Sequence, residues 1–199
     1  MQNKDKDIAF GKRASKYDDG IEGKLSSRFY RLLLEQVKLP PGAKVLDVGC
    51  GTGAMLRRMA DTCQINGYGI DMSEKMLEEA KRKCPEMIIQ YSRCEQTPFD
   101  DSTFDILTAC LAYHHFSDRQ GFAKEAARIL KPGGSLYIAD PNFPFIIRKV
   151  MNGVFSLFRV AGKFFTPEEI YRDFAVYGFT PDGFVKNGYA QIVKLRLIG

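Results

Sequence analysis

The chain has 199 residues, 45% of them hydrophobic and 27% charged, and Lys plus Arg exceed Asp plus Glu by 29 − 24 = 5. That length suits one core of roughly 100 to 200 residues, and the composition excludes both a disordered chain and a disulfide-stapled miniature. The basic excess falls in the N-terminal segment and around Arg148 to Lys163 rather than in one block, which argues against a nucleic-acid-binding face. The opening M-Q-N-K-D-K-D-I-A-F lacks the apolar run of a signal peptide, and no stretch of about 18 apolar residues occurs, so a soluble or at most peripheral protein is expected. Cys50, Cys63, Cys84, Cys94 and Cys110 form no C-x-x-C pair and no metal-ligand spacing, which predicts a reduced, cytoplasmic setting and no metal site.

In chain order, the segment to Gly23 reads as a loose arm and Leu25 to Val37 as a helix. From residue 43 short apolar runs alternate with amphipathic ones, the signature of βα units around a parallel sheet. Strands are predicted near 43–48, 65–71, 86–91, 103–110 and 134–140, with helices near 52–62, 73–83 and 118–130. Ser73 is expected to cap the second of these, with Glu74 in its first turn and Pro85 stopping it. Lys131-Pro132-Gly133-Gly134 ends the third and reverses into a strand. Between Phe143 and Phe165, Ile146, Ile147, Val150, Met151, Val154, Phe155 and Phe158 recur at helical spacing with Arg148, Lys149, Arg159 and Lys163 among them. This predicts a helix packed on the sheet; the sharper alternative is a lid over an apolar substrate or a surface touching a membrane. Thr166 and Glu169 form a capping box for a helix near 167–176. Gly178 to Lys186 and Tyr189 to Leu197 read as strands joined at Asn187-Gly188, a strong hairpin signal.

The chemistry begins at V-L-D-V-G-C-G-T-G, Val45 to Gly53. A strand that runs into glycines and then a helix lets backbone approach a ligand where a Cβ would intrude. Gly49, Gly51 and Ala54 also satisfy the dinucleotide fingerprint, and Asp71, about 20 residues on, suits ribose hydroxyls for either kind of cofactor. Asp47 discriminates. A carboxylate there opposes a pyrophosphate but favours the ammonium and sulfonium of S-adenosylmethionine.

Together with this loop, G-I-D-M-S from Gly69, P-F-D-D-S-T-F-D from Pro98, L-K-P-G-G from Leu130 and the terminal hairpin resemble the class I S-adenosylmethionine-dependent methyltransferases. The likeness is to the small-molecule branch (methyltransferase type 11) that includes ubiquinone and menaquinone biosynthesis enzymes. It covers roughly residues 43–140 with specific motifs and the flanks in outline. It implies a single α/β domain over 1–199: a three-layer Rossmann-like sheet of seven strands, order 3-2-1-4-5-7-6, strand 7 antiparallel, with helices on both faces. Residues 1–40 would form an arm and helix over the cofactor site, and 143–165 an acceptor-side insertion.

Carried over by position, Asp47, Gly49, Gly51 and Gly53 would line the methionine and ribose of S-adenosyl-L-methionine, or of the product S-adenosyl-L-homocysteine. Cys50 lies within the same loop. Asp71 would bind the ribose, Met72 the adenine, and Leu111 would lie along the cofactor. The branch usually has an aspartate for the adenine amino group where this chain has Arg93, so that contact passes to the backbone of Cys94 and to Glu95. Tyr17, in A-S-K-Y-D-D, resembles the arm that folds over the cofactor.

Methyl transfer from a sulfonium needs alignment, exclusion of water and sometimes removal of one proton. His115, then His114, are the candidate bases in A-Y-H-H-F after the fourth strand, where open α/β sheets bind ligands. The expected acceptor is a small, apolar or aromatic molecule. Three alternatives are weighed: a nucleic-acid methyltransferase, a NAD-dependent oxidoreductase and a non-catalytic S-adenosylmethionine-binding module. The first lacks its usual [DNS]-P-P-[YFW] motif after the fourth strand; Asp140-Pro141-Asn142-Phe143 imitates it one strand too late and reads as a turn.

Overall fold

The central strands alternate strictly, and that alternation builds the layers. In Lys44–Val48 (β1), Val45 faces one side of the sheet while Leu46 and Val48 face the other. The computed structural model describes residues 21–157 and 162–199. Its strands continue with Asn66–Asp71 (β2), Ile88–Tyr91 (β3), Phe104–Cys110 (β4), Leu130–Pro141 (β5), Phe179–Asn187 (β6) and Ala190–Leu197 (β7). They form one seven-stranded sheet of order β3-β2-β1-β4-β5-β7-β6. β1 to β5 are parallel, and β7 runs antiparallel to both β5 and β6. This is the expected topology.

The helices are Ile21–Gln36 (α1), Ala54–Thr62 (α2), Glu74–Lys83 (α3), Arg119–Ile129 (α4), Phe145–Leu157 (α5) and Pro167–Ala175 (α6). Phe29, Leu32 and Leu33 of α1 join Met55 and Met59 of α2 against Val45, Ile106 and Ile192. On the opposite face, Phe122 and Ala126 of α4 and Ile170 and Phe174 of α6 pack on Leu46, Leu107 and Ile138. α3 closes the β2–β3 end through Leu77, Ala80 and Cys84.

Several local expectations change. α1 already includes Ile21 to Lys24, ahead of the predicted start at Leu25, and residues 1–20, Tyr17 among them, lie outside the described residues. Lys131 to Gly134 belong to β5 rather than to a separate loop, because Leu130 already pairs with Phe104. Asp140 and Pro141 are likewise strand, paired with Gln191 and Ala190, rather than a turn. Ser73 precedes α3 but makes no side-chain cap, and its hydroxyl is buried without a partner. The carboxylate of Asp71 takes its backbone N–H instead, at 2.9 Å. The capping box of α6 is present with both hydrogen bonds, and Asn187 ends β6 at the hairpin.

The largest departure is α5, which was expected to pack on the sheet and contains no buried residue. The face it would cover is already taken by α4 and α6. It is tied to the body through Asn152, whose amide donates to the Phe164 carbonyl and accepts from the Phe164 N–H, and through Arg148 to Glu169 at 2.7 Å.

The segment after β3 is fastened by one buried carboxylate. Glu125 of α4 accepts from the N–H and hydroxyl of Thr97, at 2.7 and 2.6 Å, and from Arg128. Burial alone would raise its pKa, but the hydrogen bonds from Arg128 and Thr97 outweigh it and hold the carboxyl below the ordinary glutamate value of 4.5. A group with a lowered folded pKa stabilises above its unfolded value and loses that contribution as pH falls through the folded one. Glu125→Gln should therefore cost about 1–3 kcal/mol in urea denaturation at pH 7. The gap between the two proteins should narrow as pH falls below 4.5.

Candidate active site

The site forms at the C-terminal ends of the parallel strands, where β1 gives way to three glycines. Gly49, Gly51 and Gly53 adopt φ of 75°, 51° and 75°, left-handed values that a side chain resists. The N–H groups of Gly49 and Cys50 both donate to the Ile70 carbonyl, which folds the turn back over β2. The three glycines serve different ends. A Cβ on Gly49 would stand 2.6 Å from the Ala112 Cβ, whereas one on Gly51 would meet no protein atom within 4 Å. Gly51 faces the cavity. A Cβ on Gly53 would stand 3.2 Å from Ala80, so this glycine lets α2 approach α3; it does not line the cavity, contrary to its expected ligand role.

The cavity, about 180 Å³, is lined by Asp47, Gly49, Cys50, Gly51, Asp71, Met72, Cys94, Glu95, Leu111 and His115, all singled out from the sequence. Asp47 is 2% exposed and accepts from the Thr108 hydroxyl at 2.7 Å. Burial, with a contribution from nearby Asp71, pushes its pKa up to about 7 despite the Thr108 hydrogen bond. Among the described residues no Lys or Arg pairs with it. Asp71 accepts from Gly51 N–H and Ser73 N–H, both at 2.9 Å, so the loop and the start of α3 are pinned to one side chain. Two carboxylates on one wall favour a ligand that brings positive charge.

At the other end, Arg93 donates to Glu95 from Nε at 2.6 Å, and the Cys94 thiol lies 3.3 Å from the same carboxylate. Arg93 thus covers Glu95 rather than replacing the absent aspartate. Met72, Met76, Ile70 and Phe116 supply apolar wall. Leu111 has φ 55°, a left-handed non-glycine residue at the turn from β4 into the helical turn Tyr113–His115. Such strain, about 1–3 kcal/mol, persists only where the surroundings impose it. Tyr113 does so, fully buried, with its hydroxyl donating to Asp173 at 2.6 Å.

His115 lines the cavity, and His114 lies behind it with ring centroids 3.9 Å apart. Asp140 receives the His114 N–H and lies 2.8 Å from its Nδ1. A carboxylate can only accept, so Nδ1 is the donor of that hydrogen bond. Asp140, read from the sequence as part of a turn, reaches His114 through the parallel pairing of β4 and β5. Tyr30 also enters the cavity, from α1, with no motif to announce it. Among the described residues no group of three or more His, Cys, Asp or Glu could hold a metal ion.

Residues 46–138 match the family model described as a methyltransferase domain. A ubiquinone/menaquinone biosynthesis C-methyltransferase of Geotalea daltonii is 29% identical over 85% of this chain and 74% of its own length. A demethylmenaquinone methyltransferase of Chlorobaculum tepidum is 38% identical over 51% of this chain and 42% of its own length. A 27-O-demethylrifamycin SV methyltransferase of Amycolatopsis mediterranei is 32% identical over 58% and 44%. The chain thus spans less than half the length of the first curated relatives it matches. In fold it is similar to a chain of the Haloferax volcanii complex between the Trm112 methyltransferase activator and a methyltransferase, with TM-score 0.82, 20% identity, and 96% and 98% of the two chains covered. It also resembles the geranyl diphosphate C-methyltransferase of Streptomyces coelicolor solved with S-adenosyl-L-homocysteine, with TM-score 0.73, 14% identity, and 88% and 80% covered. Over residues 46–138 the chain is therefore similar to class I, S-adenosylmethionine-dependent methyltransferases.

The glycines supply a test that separates fold from site. Gly49→Ala should destabilise the protein by about 1–3 kcal/mol, through both the left-handed φ and the Ala112 clash. Gly51→Ala should cost about 1 kcal/mol in stability, yet weaken S-adenosylhomocysteine binding at least tenfold, read by calorimetric titration.

Proposed function

We propose that this protein transfers the methyl group of S-adenosylmethionine to a small, apolar or aromatic acceptor. The observation that carries the reading is Asp47, a buried carboxylate on the cavity wall with which, among the described residues, no Lys or Arg pairs. The ammonium and sulfonium of S-adenosylmethionine meet that need, whereas the pyrophosphate of a dinucleotide would face two like charges. This favours methyl transfer over the nicotinamide-dependent alternative.

When bound, the cofactor supplies an already activated methyl group. The chain's residues then bind, orient and dry the site. Asp47 and the backbone of Gly49 to Gly51 would hold the methionine end, Asp71 the ribose, and Met72 with the segment Cys94–Glu95 the adenine. Tyr17 would complete the cover from the arm. Leu111, fixed in its strained turn, would lie along the cofactor toward the acceptor side. There His115 is the residue placed to take a proton from an acceptor hydroxyl or ring carbon, and His114, held by Asp140, positions it through the contact of their tilted rings. Phe143, Phe155, Phe164 and Tyr189 cluster next to this histidine pair, with Phe164 5.6 Å from His114, which suits an aromatic or lipophilic acceptor. The relatives named for demethylmenaquinone and for a rifamycin agree with that chemistry, and a nucleic acid is the less favoured acceptor. Five unpaired thiols suit a reducing compartment such as the cytoplasm.

The pH dependence follows from Asp47. A carboxyl whose folded pKa is raised from 3.8 to about 7 favours its protonated form in the fold, so it costs the cofactor-free protein stability as pH rises between those values. Cofactor affinity should accordingly rise from pH 6 to about 8, where Asp47 is ionised, and then level off. Asp47→Asn keeps an acceptor for Thr108 and should stabilise the cofactor-free protein at pH 8 by about 2–4 kcal/mol while lowering cofactor affinity more than a hundredfold. Thermal unfolding and calorimetric titration of the pair test the reading; unchanged affinity would overturn it.

The histidine assignment has its own test. With a demethylated quinol as acceptor, His115→Asn should lower kcat by about 100-fold or more with KM for S-adenosylmethionine nearly unchanged. Asp140→Asn should lower kcat less and shift the acid limb of the pH–rate profile. An unaltered profile in both variants would remove the pair from the chemistry.

A further inference from the structure

Helix α5 presents its apolar side away from the protein. Its inward face is Arg148, Met151, Asn152 and Phe155, the residues bound or packed to the body or only partly exposed. Opposite them, at the helical spacing i, i+4, i+11, stand Ile146, Val150 and Leu157, 74%, 60% and 77% exposed. Phe145, Ile147 and Val154 flank the stripe and are exposed as well. Leaving this much apolar surface in water on one short helix is costly, and such contiguous patches mark interaction sites.

We propose that α5 is an interfacial helix that docks this protein on an anionic lipid bilayer. The first support is charge. From Phe143 to Phe165 the sequence carries no acidic residue, and besides Arg148, which Glu169 pairs, it holds Lys149, Arg159 and Lys163. Lys149 is exposed at the edge of the stripe with its ammonium 5.9 Å from the Phe145 ring, where it can reach headgroups while its stem lies along the apolar face. The second is shape: the stripe is the convex outer side of a single helix, suited to a deformable apolar layer, and among the described residues no helix is long and apolar enough to cross one. The third is position. α5 follows the C-terminal end of β5 directly, and its Phe155 packs on Phe164, which in turn packs on His114. Docking through the outer stripe therefore sets the acceptor side of the cavity against the bilayer. The inference goes beyond methyl transfer and is measured without cofactor or acceptor.

The chain has no tryptophan, so Val150→Trp installs a single reporter. Its emission should shift to the blue on adding vesicles of phosphatidylglycerol with phosphatidylcholine, and much less with phosphatidylcholine alone. In co-sedimentation the unmodified protein should bind the anionic vesicles. The triple variant Ile146→Ser, Val150→Ser, Leu157→Ser should bind at least tenfold more weakly, and Lys149→Glu should reduce binding and its salt sensitivity. Circular dichroism and calorimetric titration with S-adenosylhomocysteine check that each variant is folded. Vesicle binding unaffected by the triple substitution, no binding to any vesicle, or a dimer in light scattering that the triple substitution dissolves would each overturn the proposal, the last by assigning the face to a second copy.

Discussion

Burial of the Asp47 carboxylate in the central strand is the constraint around which the site is arranged. A charged group out of water is expensive unless something compensates it, and among the described residues the side chain that bonds it is Thr108 of the neighbouring strand. The pairing of β1 with both β2 and β4 fixes where that carboxylate lies, since Asp47 is in register with Gly69 on one side and Thr108 on the other. The absence of a side chain at Gly69 leaves room for Cys50 and Leu56, whose atoms would lie 2.9 and 3.0 Å from a Cβ there. The glycine turn then carries the chain past the carboxylate with backbone alone. The electrostatic demand of the cavity is left for a cationic ligand to meet.

The remaining walls are held by groups that do not touch the cavity. Glu125 ties the segment leading from Cys94 and Glu95 through Thr97, and Asp118 caps α4 by accepting from Gly121 N–H at 2.8 Å. Tyr113 and Arg119 converge on Asp173 of α6, which anchors the turn bearing Leu111, His114 and His115 to the far face of the sheet. Each tie joins a loop at the C-terminal strand edge to a helix that is itself packed on the core. The end of the cavity where a cofactor would lie is therefore tied to the core through several elements.

The acceptor side is where the fold leaves its apolar surface uncovered. α4 and α6 complete one face of the sheet, and α1 and α2 the other, so a further apolar helix has no sheet left to cover. α5 is consequently held by a few polar ties and the contact of Phe155 with Phe164, and its exposed stripe lies on the side opposite that contact.

By itself the sequence determined the features that depend on neighbouring residues: the strand-and-helix alternation, the capping box at Thr166 and Glu169, the hairpin at Asn187, and a glycine loop flanked by Asp47 and Asp71. These are legible because periodicity, turn chemistry and helix capping act over a few residues. Of the residues expected to bind the cofactor, those among the described residues line one cavity apart from Gly53, which resembles its neighbours in sequence but faces α3 in space. Only the tertiary structure decided how Asp140 meets His114, that Tyr30 enters the cavity, and that α5 turns its apolar side outward. In each case the deciding partner stands on another element, or an available face has already been filled, and a helical stripe of Ile, Val and Leu reads the same whether its partner is a sheet or a surface outside the chain.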